Sequence, residues 1–132
     1  MILGIDIGGS GVKGAPVDIE AGALTEERYR VPTPQPADVR AVVGAAREVA
    51  ARFPDADRVG ITLPGVVVDG VTRTAANMDP SWIDAPAADL FAKAIGRPVT
   101  VLNDADAAGV AEVEFGVGKG QHGVVIMLTF GT

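Results

Sequence analysis

Apolar and polar positions recur with two different periods along the chain, and these periods separate predicted strands from predicted helices. Ile2 to Ile7 is a short apolar run, and Val12 to Val17 resumes β character after a glycine-rich turn, so the two runs predict a hairpin. Leu24 to Val31 alternates loosely and predicts a third strand. The prolines that follow it predict a stiff connector, and they are Pro32, Pro34 and Pro36.

The clearest helical pattern follows Asp38. Apolar residues recur there at offsets of three and four, as they do on one face of an α-helix, at Val39, Val42, Val43, Ala46, Val49, Ala50 and Phe53. Asp38 is expected to cap this helix at its start, and Pro54 to close it. The near-continuous apolar run from Arg58 to Leu63 then predicts a strand in a sheet that is covered on both faces.

The second half of the chain predicts a hairpin followed by alternating helices and strands. Val66 to Thr74 suggests a small hairpin, and Ala87 to Ile95 predicts a helix that stops at Gly96. Val99 to Leu102 is the next predicted strand, and Asn103-Asp104 leads into a third helix running to about Phe115.

A last strand is predicted from Val124 to Phe130, after a glycine-rich loop from Gly116 to Gly123. The order of elements predicts an α/β domain with a mixed sheet, β-β-β-α-β-α-β-α, and helices on its faces. The 132 residues are a normal length for one compact domain.

Composition and charge exclude several classes of function. The net charge is −6, and an acidic surface disfavours non-specific binding of nucleic acid, which needs basic patches. The chain contains no cysteine, which excludes disulfides, thiolate zinc sites and cysteine nucleophiles and fits a reducing cytoplasm. No apolar run approaches the roughly 20 residues of a membrane span, and the start lacks a basic leader region. We therefore expect a cytoplasmic domain that binds neither nucleic acid nor membrane.

The segment Asp6 to Gly14 is the first candidate for chemistry. Its formal G-x-G-x-x-G pattern is Gly9, Gly11 and Gly14, but a dinucleotide site needs a helix to open at that loop. The residues from Gly14 to Asp18 form poor helix sequence. The dinucleotide reading is therefore disfavoured.

The preferred interpretation of the same segment is a hairpin tip that binds phosphate. Glycines let the backbone N–H groups approach an anion closely, the Ser10 hydroxyl adds a donor, and Lys13 supplies a cation. Asp6 can hold Mg²⁺ through water. The phosphate-binding candidates are Gly8, Gly9, Ser10, Gly11 and Lys13. The alternative, a plain glycine-rich hairpin, stays open on these residues alone.

Asn103 and Asp104 form the second candidate because they directly follow an apolar strand. Ligands of open α/β sheets lie at the carboxyl ends of strands, where a carboxylate can take a proton from a substrate hydroxyl. Asn103 can bind neighbouring hydroxyls. Asn and Asp are also preferred helix caps, and capping alone is the favoured alternative for these two residues in isolation.

Two weaker candidates lie in loops after strands. Gly65 can let a flat ligand approach, and Asn77 offers a donor and an acceptor to a sugar hydroxyl; ordinary turn chemistry is the alternative. The end of the chain, from Leu128 to Thr132, is similar to a second phosphate loop and adds Thr129, Gly131 and Thr132 to the candidates. Trp82 is expected to pack in the core rather than to stack on a sugar.

Together and in this order, the segments resemble the ROK family of sugar kinases. Asp6 to Gly14 resembles its first phosphate motif, and the residues from Asn103 to Asp106 resemble its catalytic element. Pro64-Gly65, Asn77 and the end of the chain follow where the family has sugar-binding and second phosphate elements. The segments from Thr74 to Trp82 and from Asn103 to Gly109 look especially like bacterial polyphosphate glucokinases. Ser10 stands where many members have Thr.

The resemblance implies the actin-like ATPase (ribonuclease H-like) fold, with residues 1–132 as the N-terminal lobe of two. It implies that Asp104 is the catalytic base, which deprotonates the 6-hydroxyl of glucose for attack on polyphosphate or ATP. Asn77, Asn103 and Gly65 then belong to the sugar site, and Asp6 stays near Mg²⁺. The complete protein is expected to be a homodimer, and this lobe alone inactive.

Two other functions remain open at this point. The first is a sugar-sensing regulator of the same family, although no helix-turn-helix precedes the first strand. The second is a kinase of this family for another sugar, such as fructose, mannose or an N-acetylhexosamine.

Overall fold

The computed structural model describes residues 1–75 and 78–130. The strands are β1 Ile2–Ile7, β2 Gly11–Asp18, β3 Ala23–Leu24, β4 Tyr29–Pro32, β5 Arg58–Leu63, β6 Val67–Val68, β7 Val71–Thr72 and β8 Val99–Asn103. The helices are α1 Val39–Ala51, α2 Ala87–Ile95 and α3 Asp104–Glu114. A short 3-10 turn, Pro80–Trp82, precedes α2.

The strands of the described ranges form a six-stranded mixed sheet and a separate small hairpin. The main path of the sheet is β3-β2-β1-β5-β8, and β4 also pairs with β2. β2 runs antiparallel to β1, whereas β5 is parallel to β1 and β8 is parallel to β5. The predicted mixed sheet, the first hairpin and the hairpin of β6 and β7 are confirmed.

The third predicted strand, Leu24 to Val31, is wrong as a single element. β4 pairs with Gly11–Gly14 of β2, and β3 pairs with Val17 and Asp18. The four residues 25–28 of the returning chain therefore face only two residues of β2, so the chain must bulge away between the two pairings. Pro16 lies opposite this gap and has no N–H to offer a neighbouring strand.

The last predicted strand, Val124 to Phe130, is also wrong. The segment has no regular secondary structure, and its apolar side chains are largely exposed. It forms no backbone hydrogen bond to any strand of the described residues. An apolar β-type sequence becomes a strand only when a neighbouring edge accepts its hydrogen bonds.

The core lies between one face of the sheet and the packed helices α1 and α2. Alternate residues of β1 and β5 are buried there, namely Leu3, Ile5, Ile7, Val59, Ile61 and Leu63. The opposite face, called the outer face below, is only partly covered, and Thr100 and Leu102 are exposed on it. This differs from the prediction that Arg58 to Leu63 is covered on both faces. The alternating burial instead fits an amphipathic strand.

Trp82 is a core residue, as predicted. It is fully buried and stacks on Phe91 with ring centroids 5.9 Å apart, and its Nε1–H donates to the Ala37 carbonyl at 3.0 Å. The last contact fixes the connector before α1, where Asp38 accepts from Ala41 N as the predicted cap. Trp82 therefore joins the turn before α2 to the start of α1.

Gly14, the last glycine of the formal G-x-G-x-x-G pattern, is a packing position. A Cβ atom there would lie 2.7 Å from Cγ1 of Val49 and 3.0 Å from the Gly4 carbonyl oxygen. Glycine thus lets α1 lie close against the hairpin of β1 and β2. This contact, rather than a ligand, explains the glycine.

We expect Gly14→Ala to lower the free energy of unfolding by about 1–3 kcal/mol, because overpacking forces the helix and the sheet apart. Gly44→Ala is the matched control. Gly44 is exposed on α1 and has open space around its Cα, so alanine should raise stability by about 0.5–1 kcal/mol through helix propensity. Urea unfolding followed by Trp82 fluorescence measures both. Equal stability of Gly14→Ala and the parent chain would contradict the packing role.

Candidate functional site

Three segments of the candidate site meet at one edge of the sheet. β1, β5 and β8 are neighbours and parallel, so the segments that follow them all leave from their carboxyl ends. Two are loops that begin with Gly8 and Pro64, and the third is α3, which begins with Asp104 directly after β8. Adjacent strands lie about 4.8 Å apart, which puts the ends of β1 and β8 about 10 Å apart. The edge therefore brings together residues that are up to 96 positions apart in the sequence.

The loop Gly8–Gly11, called the glycine loop below, is a tight turn. The Gly8 N–H donates to the Gly11 carbonyl at 2.9 Å, while Gly9 and Ser10 form the exposed tip. Neither the Gly9 nor the Ser10 amide donates to an acceptor within the described residues. The predicted hairpin tip with exposed amides is thus present.

Three residues after β2 hold the carbonyl groups of this loop. The Thr33 hydroxyl donates to Gly8 O at 2.6 Å, Gln35 Nε2 donates to Gly9 O at 3.4 Å, and an Arg30 Nη donates to Ser10 O at 2.8 Å. The Thr33 amide also donates to Ser10 O at 3.2 Å. Arg30, Thr33 and Gln35 are called the bracing residues below.

Bracing the carbonyls fixes the direction of the amides. In a trans peptide the C=O and the following N–H point in opposite directions. Because the bracing residues bind the carbonyls of Gly8, Gly9 and Ser10, the next amide after each points away from them. Successive N–H groups presented on one side of a turn form an anion-binding concavity.

The bracing residues are not among those that the sequence pattern marked as functional. They belong to a segment that the pattern marked only as a strand and a stiff proline connector. A weak signal was present, since arginine, threonine and glutamine are polar donors in a segment otherwise expected to be rigid. The pairing of β4 with β2, which places them beside the glycine loop, is tertiary information.

Asp6 lies beside the glycine loop and is engaged on both oxygens. Its Oδ1 accepts from the Thr62 hydroxyl at 2.8 Å, and its Oδ2 lies 3.5 Å from Lys13 Nζ. All three side chains are on the outer face and partly exposed. Lys13, the cation predicted for phosphate, is therefore neutralised in part by Asp6.

Asn103 is the N-cap of α3 and a tie to the neighbouring loop. Its Oδ1 accepts from Ala105 N at 3.0 Å and from Asp106 N at 3.1 Å. Its Nδ2 donates to the Gly65 carbonyl at 2.8 Å. Both ends of the amide are thus used within the chain, and one N–H of Nδ2 remains. The capping alternative holds for Asn103.

Asp104 is the first residue of α3 and is exposed. Its Oδ1 accepts from Ala105 N at 2.8 Å. The carboxylate lies at the start of the helix, at the same edge of the sheet as the glycine loop. An exposed carboxylate in this position has the geometry of a proton acceptor.

Gly65 connects two of the predicted loops. It is buried, and a Cβ there would come 2.9 Å from the Thr74 carbonyl oxygen. The hydroxyl of Thr74 in turn accepts from Val66 N at 3.0 Å. The structure thus brings Gly65 against the loop that leads to Asn77, although Asn77 itself lies outside the described residues.

Asp79 anchors the other end of that loop. Its Oδ1 accepts from Ser81 N at 2.8 Å as the cap of the 3-10 turn. The backbone hydrogen bond from Ser81, with a smaller side-chain contribution from the same residue, lowers the pKa of Asp79. The bond ties the segment to the buried Trp82.

The predicted second phosphate loop is not assembled in the described part of the chain. Thr129 is exposed and has no hydrogen bond there to the glycine loop or to Asp104. Gly131 and Thr132 lie outside the described residues. These three residues remain predictions.

Among the described residues, no group of three or more His, Asp or Glu side chains is arranged to hold a metal ion. A single half-exposed carboxylate, Asp6, lies at the glycine loop. Mg²⁺ in phosphoryl-transfer sites is commonly held by one or two carboxylates, water and substrate phosphates, so Asp6 fits such an ion. No helix within residues 1–75 and 78–130 is long and apolar enough to span a membrane.

Comparisons with known proteins agree with the fold and identify the family. The family model "ROK family" matches residues 2–132. The polyphosphate glucokinase of Mycobacterium tuberculosis strain H37Rv is 51% identical over 131 residues, which cover 98% of this chain and 49% of that protein. The chain therefore spans about half the length of this relative, and 40% of the length of the polyphosphate glucokinase of Mycobacterium leprae, to which it is 49% identical.

Two solved structures show the same arrangement of elements. The inorganic polyphosphate/ATP-glucomannokinase of Arthrobacter sp. strain KM is 48% identical with a TM-score of 0.86, over 90% of this chain and 50% of that one. A ROK family glucokinase of Streptomyces griseus, solved with glucose and AMPPNP, is 34% identical with a TM-score of 0.78, over 90% and 38%. The mixed sheet is thus that of ROK sugar kinases, which have the actin-like ATPase fold. With a family match that extends over residues 2–132, this chain belongs to the ROK family.

Proposed function

We propose that this chain is the N-terminal lobe of a glucokinase that uses polyphosphate, ATP or both. The observation that carries the proposal is the shared edge of β1, β5 and β8. It presents the glycine loop and the Asp104 carboxylate at the ends of two strands that lie about 10 Å apart. The names of the similar proteins, a polyphosphate glucokinase and a polyphosphate/ATP-glucomannokinase, support this choice of donor and sugar.

The proposed reaction moves one phosphoryl group. Asp104 accepts the proton of the glucose 6-hydroxyl, the oxygen attacks the terminal phosphorus, and the bond to the donor's bridging oxygen breaks. The donor, now one phosphate shorter, leaves with the electron pair of the broken P–O bond on its oxygen. Phosphoryl transfer depends mainly on positioning and charge stabilisation, so one base and one phosphate cradle on this lobe are a sufficient contribution.

The glycine loop is proposed to hold the donor. Its outward amides and the Ser10 hydroxyl bind phosphate oxygens, and Lys13 adds a positive charge. When bound, Mg²⁺ neutralises charge on the phosphates, and Asp6 is the residue placed to hold it, through water. Thr129, Gly131 and Thr132 are proposed to complete the donor site, as the family resemblance implies.

The sugar site is proposed to lie over Gly65, with Asn77 orienting sugar hydroxyls. Asn103 has a positioning role, because its cap and its bond to Gly65 fix the start of α3. Its remaining N–H has no acceptor among the described residues, and we propose that it binds a hydroxyl. A second lobe, which the relatives' greater length supports, would close the cleft over both ligands. We expect the complete protein to be a cytoplasmic homodimer.

Phosphorylation of glucose by the complete protein tests the proposal. Glucose 6-phosphate formation is measured with Mg²⁺ and either polyphosphate or ATP, and mannose is the second sugar because one relative is named a glucomannokinase. We expect product from glucose with at least one donor, and none from residues 1–132 alone. Glucose binding without product from either donor would instead favour a sugar sensor.

We expect Asp104→Asn to reduce kcat by about a hundred- to ten-thousand-fold, because the variant cannot accept the proton. Glucose affinity should change little. Asp89→Asn is the matched control, since Asp89 is also exposed in the first turn of a helix, α2. Steady-state kinetics and glucose titration measure both variants. A kcat for Asp104→Asn within a few-fold of the parent would remove Asp104 as the base.

Two substitutions at Asn103 separate its cap from its bond to Gly65. Asn103→Ala loses both and should destabilise the protein by about 1 kcal/mol. Asn103→Ser keeps a capping oxygen, so its stability should stay near that of the parent, but its side chain is too short to reach Gly65 O. We expect kcat to fall in both variants. Thermal unfolding and kinetics measure the two effects, and full activity of Asn103→Ser would show that the bond to Gly65 is dispensable.

A further inference from the structure

A row of charged residues crosses the outer face beside the glycine loop. Asp6 of β1 lies directly opposite Lys13 of β2, and Lys13 lies directly opposite Arg30 of β4. Directly opposed residues of antiparallel strands share a face of the sheet. The three side chains therefore stand next to one another in the order carboxylate, ammonium and guanidinium.

The row carries one uncompensated positive charge. Asp6 lies 3.5 Å from Lys13 Nζ, whereas Arg30 forms no ion pair with a carboxylate within the described residues. Like charges directly opposite each other on neighbouring strands repel. Because Asp6 compensates only one of the two cations, the row keeps a net positive charge that can attract an anion. It does so on a protein whose net charge is −6.

The guanidinium lies against the glycine loop itself. An Arg30 Nη donates to Ser10 O at 2.8 Å, and a Cβ on Gly11 would come 2.7 Å from Arg30 Cζ. Glycine at position 11 is thus what allows the guanidinium to lie so close. A guanidinium has five N–H donors in a fork that matches phosphate, and the bond to Ser10 uses one of them. The side chain is exposed, so the guanidinium is open to a ligand from solvent.

We propose that Arg30 is a donor-binding residue that favours polyphosphate over ATP. This rests on the proposed function. The loop amides point away from Arg30, so a phosphate bound to them lies on the other side of the glycine loop. A chain of further phosphates that passes over the exposed loop tip onto the outer face then meets Arg30, with Lys13 next to it. ATP carries a nucleoside that supplies contacts of its own. Polyphosphate offers the protein only charged phosphate groups, so its binding depends more strongly on each cation.

The test compares Arg30→Gln and Arg30→Lys in the complete protein. We expect Arg30→Gln to raise the KM for polyphosphate about tenfold or more, because one charge-assisted hydrogen bond is lost. The KM for ATP should rise by less than about threefold. Lysine keeps the charge without the fork and should recover part of the affinity. Added salt should weaken polyphosphate binding less steeply in Arg30→Gln than in the parent.

Arg58→Gln is the matched control, because it removes the same charge at the opposite end of the sheet, where β5 begins. Its donor KM values should equal those of the parent. An unchanged polyphosphate KM in Arg30→Gln overturns the inference. An equal rise of KM for polyphosphate and for ATP overturns it too, because it marks Arg30 as a brace of the loop that binds both donors. If the parent protein is active and Arg30→Gln has the same KM for polyphosphate, this inference is refuted and the proposed function stands. If the parent protein neither binds polyphosphate nor transfers phosphate from either donor, the proposed function is refuted as well.

Discussion

The parallel pairing of β1 with β5 and of β5 with β8 is the constraint on which the candidate site depends. Its register is held by the alternate residues that the sheet buries under α1 and α2. A slip of one residue would move the whole apolar set to the outer face. The same register decides that the glycine loop, Gly65 and Asp104 leave the sheet at one edge. The same strand pairing therefore both packs the core and assembles the candidate site.

Several residues of the motif segments serve the fold as well as the proposed chemistry. Gly14 completes the formal glycine pattern, yet its role is to admit Val49 of α1. Asn103 lies next to the proposed base and caps the helix that carries it. The glycine loop is likewise shaped by its neighbours, since the bracing residues hold its carbonyls and so direct its amides outward. A loop held in this way is preorganised for the phosphate proposed to bind it, because its hydrogen bonds are made before any ligand arrives.

Local patterns predicted the elements well where one face of an element had to be buried. The stripe from Val39 to Phe53 located α1 and its cap, and Ala87 to Ile95 with Gly96 located α2 with both ends correct. The patterns failed where a strand depends on its partner. Leu24 to Val31 divides because β2 offers two separate stretches for pairing, and Val124 to Phe130 has a strand's sequence without a described neighbour.

The sequence by itself determined the class of the fold, the order of its elements and the residues that carry the family motifs. Periodicity and turn chemistry are local properties, and they can be read from a single chain. Only the tertiary structure decided that Arg30, Thr33 and Gln35 brace the glycine loop, and that Lys13 stands between Asp6 and Arg30. Those contacts depend on which strands pair and in what register, and that is set by the burial of the whole core rather than by any one segment.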